Sequence, residues 1–157
     1  GMVVIPQGLL NSRALPKTAN AVSAFAEDPE ARRESELKAM EAVMKVERAL
    51  GNQPSDVSAQ KVGYDIASYD PRTKHLRFIE VKGRIDGADT VMLTRQEIIT
   101  SLHEPQKYIL AIVQIEGGFA REPRYVRGAL SDHEPSFEHT AIQFHLKRLL
   151  ERAEVPQ

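Results

Sequence analysis

The sequence contains no cysteine, which excludes a disulfide framework, a thiolate zinc site and a cysteine nucleophile. It also has no apolar run approaching the ~20 residues of a membrane-spanning helix, and no signal-peptide pattern. No association with a membrane is therefore expected. The lack of cysteine fits a reducing compartment, so a cytoplasmic location is predicted.

Neither sign of charge dominates the sequence. Lys and Arg total 21 and Asp and Glu total 22, which gives a net charge of -1. A strongly basic domain would indicate nucleic-acid binding by its charge alone, but this chain is not basic. Binding to nucleic acid would need a local basic patch or another domain. The chain also lacks a P-loop, so any ATP hydrolysis by a parent protein would reside outside it.

The composition is that of a globular domain, with 41% hydrophobic and 27% charged residues in a chain of 157. Residues 1–34 contain three prolines among Ala, Ser and Asn, and they predict an N-terminal arm or linker with at most a short helix near residues 19–26. Residues 35–157 are predicted to form one domain.

The first part of that domain reads as a helix followed by a hairpin. Ser35 is a plausible N-cap for a helix ending at Leu50, and Gly51 stands at the C′ position. After a loop over residues 52–61, two strand-like runs at 63–69 and 76–82 flank a turn-rich segment, which predicts an antiparallel hairpin.

The remaining elements alternate between strand and helix. Thr94 and Glu97 form a capping box at the start of a helix that reaches about Leu102. The nearly continuous apolar run at 107–115 is typical of a strand buried on both faces. The other predicted elements are strands at 90–93, 124–127 and 141–144 and a final helix. This order predicts an α/β (α+β) fold with a mixed central sheet flanked by helices.

The second strand of the hairpin carries Glu80 and Lys82 on one face, because side chains alternate along a strand. Apolar residues occupy both faces, which indicates an internal strand and partial burial of both charges. Burial of such groups is costly unless they pair or bind a metal. The alternative interpretation is an exposed strand end with a screened ion pair, which is the commoner meaning of Glu-x-Lys alone.

Asp65 lies on the partner strand, and an antiparallel hairpin folds it back toward Glu80. Two carboxylates in contact repel each other unless one is protonated or a cation lies between them. Oxygen ligands alone favour a hard ion such as Mg²⁺ or Mn²⁺. Alternatively, Asp65 only opens the strand as a turn residue.

Glu47 falls inside the apolar stripe of the first predicted helix, between Val43 and Leu50. A carboxylate directed at the core from this position needs a partner. The alternative is that Glu47 extends from the edge of the stripe into solvent.

These residues together carry a resemblance to a known superfamily. Glu47, then Gly63-Tyr64-Asp65, then Ile79-Glu80-Val81-Lys82-Gly83 resemble the PD-(D/E)xK phosphodiesterases, with Tyr64 standing where the motif name has proline. More narrowly, residues 40 to about 113 resemble the DUF3883 domain, also called the NO VEIN C-terminal domain, which often follows helicase-like and other ATPase modules. The matching stretches are AMEAVMKVERALG, GYDIASYDPRTKHLRFIEVKGR and GADTVMLTRQEIITSLHEPQKYILAIV.

The resemblance implies a restriction-endonuclease-like core in αβββαβ order and a role for each motif residue. Asp65 and Glu80 would ligate Mg²⁺ or Mn²⁺, with the Val81 carbonyl as a further ligand. Lys82 would orient or activate the attacking water and balance charge on the phosphate. Glu47 would complete the acidic cluster. A minor accessory role falls to Gln96 on the next helix.

Three functions remain open at this point. The first is a metal-dependent phosphodiesterase acting on DNA, attached to a helicase or ATPase module of a parent protein. The second is a non-catalytic module that docks nucleic acid or protein. The third is a structural domain with a buried ion-pair network, which predicts no metal binding. Many enzymes of the superfamily act as homodimers, but no residue here identifies a dimer surface.

Overall fold

The computed structural model describes residues 28–128, 130 and 140–157. The short helix predicted near residues 19–26 lies outside the described residues, as does most of the predicted arm. None of the described helices is long and apolar enough to cross a membrane.

The described chain contains three α-helices, eight β-strands and a short 3₁₀ turn. In chain order these are α1 (Pro29–Ala49), β1 (Gln53–Asp56), the 3₁₀ turn (Ser58–Gln60), β2 (Ile66–Asp70), β3 (His75–Ile85), β4 (Thr90–Thr94), α2 (Arg95–His103), β5 (Tyr108–Glu116), β6 (Phe119–Ala120), β7 (Arg124–Arg127), β8 (Ala141–His145) and α3 (Leu146–Glu151).

The strands form a mixed main sheet and a small second sheet. The main sheet has the order β1-β2-β3-β5, and both β6 and β7 pair with β5. Only the β3–β5 pair is parallel among the described strands. Strand β4 lies outside the main sheet and pairs with β8 in the small second sheet. This architecture confirms the predicted α/β fold with a mixed sheet flanked by helices.

Helix α1 begins earlier than predicted. Asp28, not Ser35, is the N-cap, and its carboxylate accepts from the amides of Glu30 and Ala31. Pro29 occupies the first helical position, where proline loses no hydrogen bond. Ser35 is instead a buried residue inside the helix. The predicted end is confirmed, because Leu50 is the C-cap and Gly51 has a φ of 83°.

Residues 52–61, predicted as a loop, contain β1 and the 3₁₀ turn. The sequence of β1 has Pro54 and three polar residues, a composition that disfavours strand. Because β1 pairs with β2 alone, it is an edge strand, where proline is tolerated.

The main sheet separates two apolar clusters. Helix α1 covers one face, where Ala39 and Val43 pack with Ile66, Ile79 and residues of β5. The other face packs against α2, α3 and the small sheet. Since alternate residues of β3 face opposite sides, Ile79 belongs to the α1 face and Phe78 to the other.

Strand β3 continues past the start of β2, which leaves part of its edge open. Ile66 pairs with Ile79, and no described strand pairs with that side of β3 from Glu80 onward. The amide of Phe78 donates to the carbonyl of Lys107, just before β5, so it points toward β5. Backbone N–H and C=O groups point to alternate edges of a strand, and Val81 is three residues after Phe78. The N–H and C=O of Val81 therefore face the opposite, open edge.

Candidate functional site

A cleft of about 360 Å³ lies at this open edge of β3. Helix α1 forms one wall, and the segment before β2 and the start of α2 form the rest. A second cavity of about 280 Å³ shares Ser58, Asp65, Glu80 and Glu97 with it. The lining residues of the first cleft are Arg33, Glu36, Leu37, Met40, Asp56, Ser58, Asp65, Glu80, Val81, Lys82, Gly83, Arg84 and Glu97.

Asp65 is fixed where the open edge begins. Its amide donates to the Ile79 carbonyl at 3.0 Å, which extends the hairpin ladder by one bond. Its carboxylate oxygen Oδ2 accepts from the Val81 amide at 2.9 Å. Since the N–H and C=O of a residue in a strand point to the same side, the Val81 carbonyl faces this edge as well.

Glu80 and Lys82 lie side by side, as the strand pattern predicts. The Lys82 Nζ is 2.8 Å from Glu80 Oε1, and the two side chains are only 5% and 16% exposed. The Lys82 Nζ also lies 3.0 Å from Glu97 Oε2. The ammonium thus bridges two carboxylates on different elements.

The electrostatics of this cluster favour the neutral forms of Asp65 and Glu80. Burial raises the pKa of Asp65, although the Val81 amide and Lys82 oppose the shift. Burial also raises the pKa of Glu80, to about 9, and the charge of Lys82 opposes this shift while Asp65 and Glu97 add to it. Burial alone would lower the pKa of Lys82, but Glu80 and Glu97 outweigh burial and raise it. The site is therefore short of positive charge.

Glu97 is a site residue that the sequence analysis explained only in part. The predicted capping box is present, because the Thr94 hydroxyl accepts from the Glu97 amide and Glu97 Oε2 accepts from the Thr94 amide at 3.0 Å. The contact of Glu97 with Lys82 joins α2 to β3 across the cleft. No local spacing signals such a contact.

Glu47 does not join this cluster, contrary to the prediction. It is 0% exposed and accepts hydrogen bonds from Asn52, Ser68 and Tyr125 at 2.7–2.8 Å, with Arg77 Nη1 at 3.5 Å. The physical reason is the alternation of β3. The apolar stripe of α1 faces the side of the sheet that holds Ile79, whereas Glu80 and Lys82 point to the opposite side.

Helix α1 contributes other residues to the cleft, from its N-terminal half. Arg33 and Glu36 line the cleft, about four and about three helical turns before Glu47 along the same helix. Their place in the cleft could not be predicted from the sequence, because both are exposed polar residues on a helix, which is the commonest environment for such residues. Gln96, the predicted accessory residue, lines the second cavity beside Asp65 and Glu80.

The donor set fits a hard divalent cation that also contacts water and a phosphate. Among the described residues, no three His, Asp or Glu side chains are grouped tightly enough to hold a metal ion. Mg²⁺ commonly uses only one or two carboxylates together with waters and substrate phosphate. When ionised, Asp65, Glu80, Glu97 and Lys82 carry a net charge of -2, which one divalent cation would balance.

The family described as Protein NO VEIN, C-terminal matches residues 35–126, which is more than half of the chain. The chain belongs to this family. The match runs from the first turns of α1 to β7, so the NO VEIN C-terminal domain includes every residue of the acidic cleft named above except Arg33. No curated protein and no solved structure matches the chain.

Proposed function

We propose that this NO VEIN C-terminal domain is a divalent-metal-dependent phosphodiesterase that acts on DNA, with a site of the PD-(D/E)xK type. One observation carries the proposal. Asp65, Glu80 and Lys82 share a single cleft at the open edge of β3. A buried carboxylate and a half-buried one beside one ammonium are the groups that metal-assisted phosphodiester hydrolysis uses.

Each residue has a distinct role in this proposal. Asp65 and Glu80, with the Val81 carbonyl, would hold Mg²⁺ or Mn²⁺. The bound ion would polarise a phosphoryl oxygen and lower the pKa of water. Lys82 would orient the attacking water and oppose the negative charge that develops on the phosphate. The Val81 amide keeps Asp65 turned toward the cleft.

DNA affinity is proposed to come largely from a helicase or ATPase module of a parent protein. The net charge of -1 supplies no long-range attraction to phosphates. Arg84, a cation of the cleft, donates to the carbonyls of Gly83 and Thr90, so its guanidinium is partly committed to the protein itself.

The second candidate is a non-catalytic docking module for nucleic acid or protein. The observation that favours it is the pairing of Lys82 with both Glu80 and Glu97, which satisfies the ammonium without a substrate. A docking module would bind DNA or a partner protein without cutting and without needing a metal.

Nicking of supercoiled plasmid in the presence of Mg²⁺ or Mn²⁺ separates the two candidates. We expect metal-dependent nicking by the wild type. The nicking rate should fall about 100-fold or more in Lys82→Met, which keeps a side chain of similar length but removes its charge. Lys45→Ala, at an exposed position of α1, is the matched control and should nick like the wild type. DNA binding without nicking in all three proteins would favour the docking module.

A further inference from the structure

Glu97 uses one carboxylate oxygen for two tasks. Its Oε2 accepts from the Thr94 amide at 3.0 Å and lies 3.0 Å from the Lys82 Nζ. The Glu97 side chain is 13% exposed and the Lys82 side chain 16%, so solvent has little access to their ion pair. A carboxylate that only capped a helix would have no need to reach an ammonium on another element.

The capping box fixes the position of this oxygen. Thr94 and Glu97 bond to each other in both directions, and the bond from the Thr94 backbone amide to Glu97 Oε2 restricts the Glu97 side chain at the start of α2. Ile98, the next residue, is buried in the apolar cluster on that side of the sheet and anchors the same turn. The Glu97 carboxylate is therefore a rigid acceptor.

Lys82 needs such an acceptor because its other partner has a competing role. A lysine side chain is long and flexible, and fixing it requires directional contacts. Glu80 supplies one contact at 2.8 Å. In the proposed function Glu80 also binds the metal, which competes for the same carboxylate. Glu97 lies on a different element, so its contact with Lys82 is independent of that competition.

We propose that Glu97 is a positioning residue that holds the Lys82 ammonium in the cleft while it caps helix α2. The catalytic meaning of this contact rests on the proposed function, whereas the contact itself does not. Glu97 keeps Lys82 beside the scissile phosphate when Glu80 turns toward a divalent cation.

Two substitutions separate the positioning role from the capping role. Glu97→Gln removes the charge but keeps the cap, because glutamine also serves in a capping box. Thr94→Ala removes the hydroxyl that caps α2 but keeps the Glu97 charge and the backbone amide of residue 94 that donates to Glu97 Oε2. If Glu97 acts only as a cap, Thr94→Ala is the more disruptive change for every property of the site.

The direct readout is the ¹⁵Nζ signal of Lys82 in NMR spectra of the full chain at one fixed pH, assigned by its loss in Lys82→Met. An ammonium held between two carboxylates exchanges slowly and gives an observable signal. We expect the signal in the wild type and in Thr94→Ala, and its broadening or loss in Glu97→Gln. An unchanged signal in Glu97→Gln would overturn the proposal.

Kinetics test the catalytic consequence separately. Glu97→Gln is expected to lower kcat for nicking about 10-fold with KM unchanged, and Thr94→Ala to lower the melting temperature with kcat unchanged. Equal losses of kcat in both variants would contradict the positioning role. If the wild type does not cut DNA, the proposed function fails, and the NMR comparison still decides whether Glu97 holds Lys82.

Discussion

Two buried glutamates differ in the number of hydrogen-bond donors around them. Glu47 and Glu80 are 0% and 4% exposed. Glu47 accepts from a set of well-placed donors, namely Asn52, Ser68, Arg77 and Tyr125. Glu80 forms an ion pair with Lys82 and faces two other acids. Burial and the two acids raise its pKa, and Lys82 opposes the shift. We infer that Glu47 stabilises the fold and that Glu80 is the carboxylate available to a ligand.

Replacement of Glu47 is therefore expected to affect stability rather than metal binding. Glu47→Ala leaves Arg77 without its buried partner and should lower the free energy of unfolding by about 3–5 kcal/mol. Urea denaturation measures the loss. Glu41→Ala, at an exposed position of the same helix, is the control and should change stability by less than about 0.5 kcal/mol. Normal stability with lost metal binding would return Glu47 to the site.

The pKa shifts of Asp65 and Glu80 predict how stability depends on pH. Both pKa values are raised above 3.8 and 4.5, so the folded state binds more protons than the unfolded state. Without metal, the free energy of unfolding contributed by these groups should fall as pH rises from about 4 to about 9, the raised pKa of Glu80. Lys82 contributes no slope there, because its raised pKa acts only near and above 10.5.

Urea denaturation in EDTA at several pH values measures this dependence. Asp65→Asn combined with Glu80→Gln removes both titrations and should flatten the profile. Added Mg²⁺ should stabilise the wild type more at pH 8 than at pH 5, since metal ligands must be deprotonated. A wild-type profile identical to that of the double variant would show that these carboxyls are not perturbed.

At the scale of elements, the close approach of α1 to β3 shapes the cleft. A Cβ added at Gly83 would lie 2.8 Å from the Ser35 carbonyl oxygen and 3.2 Å from Ala39 Cβ. The absence of a side chain at Gly83 therefore lets the helix lie against the strand that carries Glu80 and Lys82. This contact brings Arg33 and Glu36 to the cleft.

Gly83→Ala should push α1 away from β3. We expect a loss of about 1–3 kcal/mol in the free energy of unfolding, which is typical of overpacking, together with weaker metal binding. Gly117→Asn is the control, because no atom lies within 4 Å of its added Cβ and asparagine tolerates the φ of 56° there. Equal stability of Gly83→Ala and wild type, measured in urea, would contradict this packing.

Elements with a strong local pattern were predictable from the sequence, and contacts between elements were not. The apolar run of β5, the capping box of α2 and the Asp70–Lys74 turn each carry their own signal. The start of helix α1 was predicted at Ser35 and not at Asp28, because the first turns of the helix are polar and lack the apolar period of the later turns. The helical wheel placed Glu47 toward the sheet, but it could not say which side of β3 the helix covers.

At the scale of the whole molecule, the site follows from a mismatch in strand length. Strand β3 is longer than β2. Because β2 does not pair with β3 beyond Ile79, the backbone and side chains of β3 there are open to a cleft lined by residues of α1 and α2. Two acids and a lysine could be predicted from the spacing of the hairpin. The Glu97 contact depends on the crossover from β3 through β4 and α2, which no local pattern encodes.

Several predictions at this scale await their own tests. They are the cytoplasmic location, a homodimer, and a helicase or ATPase module in a parent protein. Sedimentation of the isolated domain tests the homodimer. A pull-down with the helicase or ATPase module of the parent protein tests the third prediction.

The central claim is that Asp65 and Glu80 form a divalent-cation site, and calorimetric titration with Mg²⁺ or Mn²⁺ tests it most directly. We expect binding to the wild type and to Asp86→Asn, an exposed control just after β3, and at least a 10-fold loss of affinity in Asp65→Asn. Absence of binding to the wild type at millimolar metal would contradict the claim, and the cluster would then be a paired structural network.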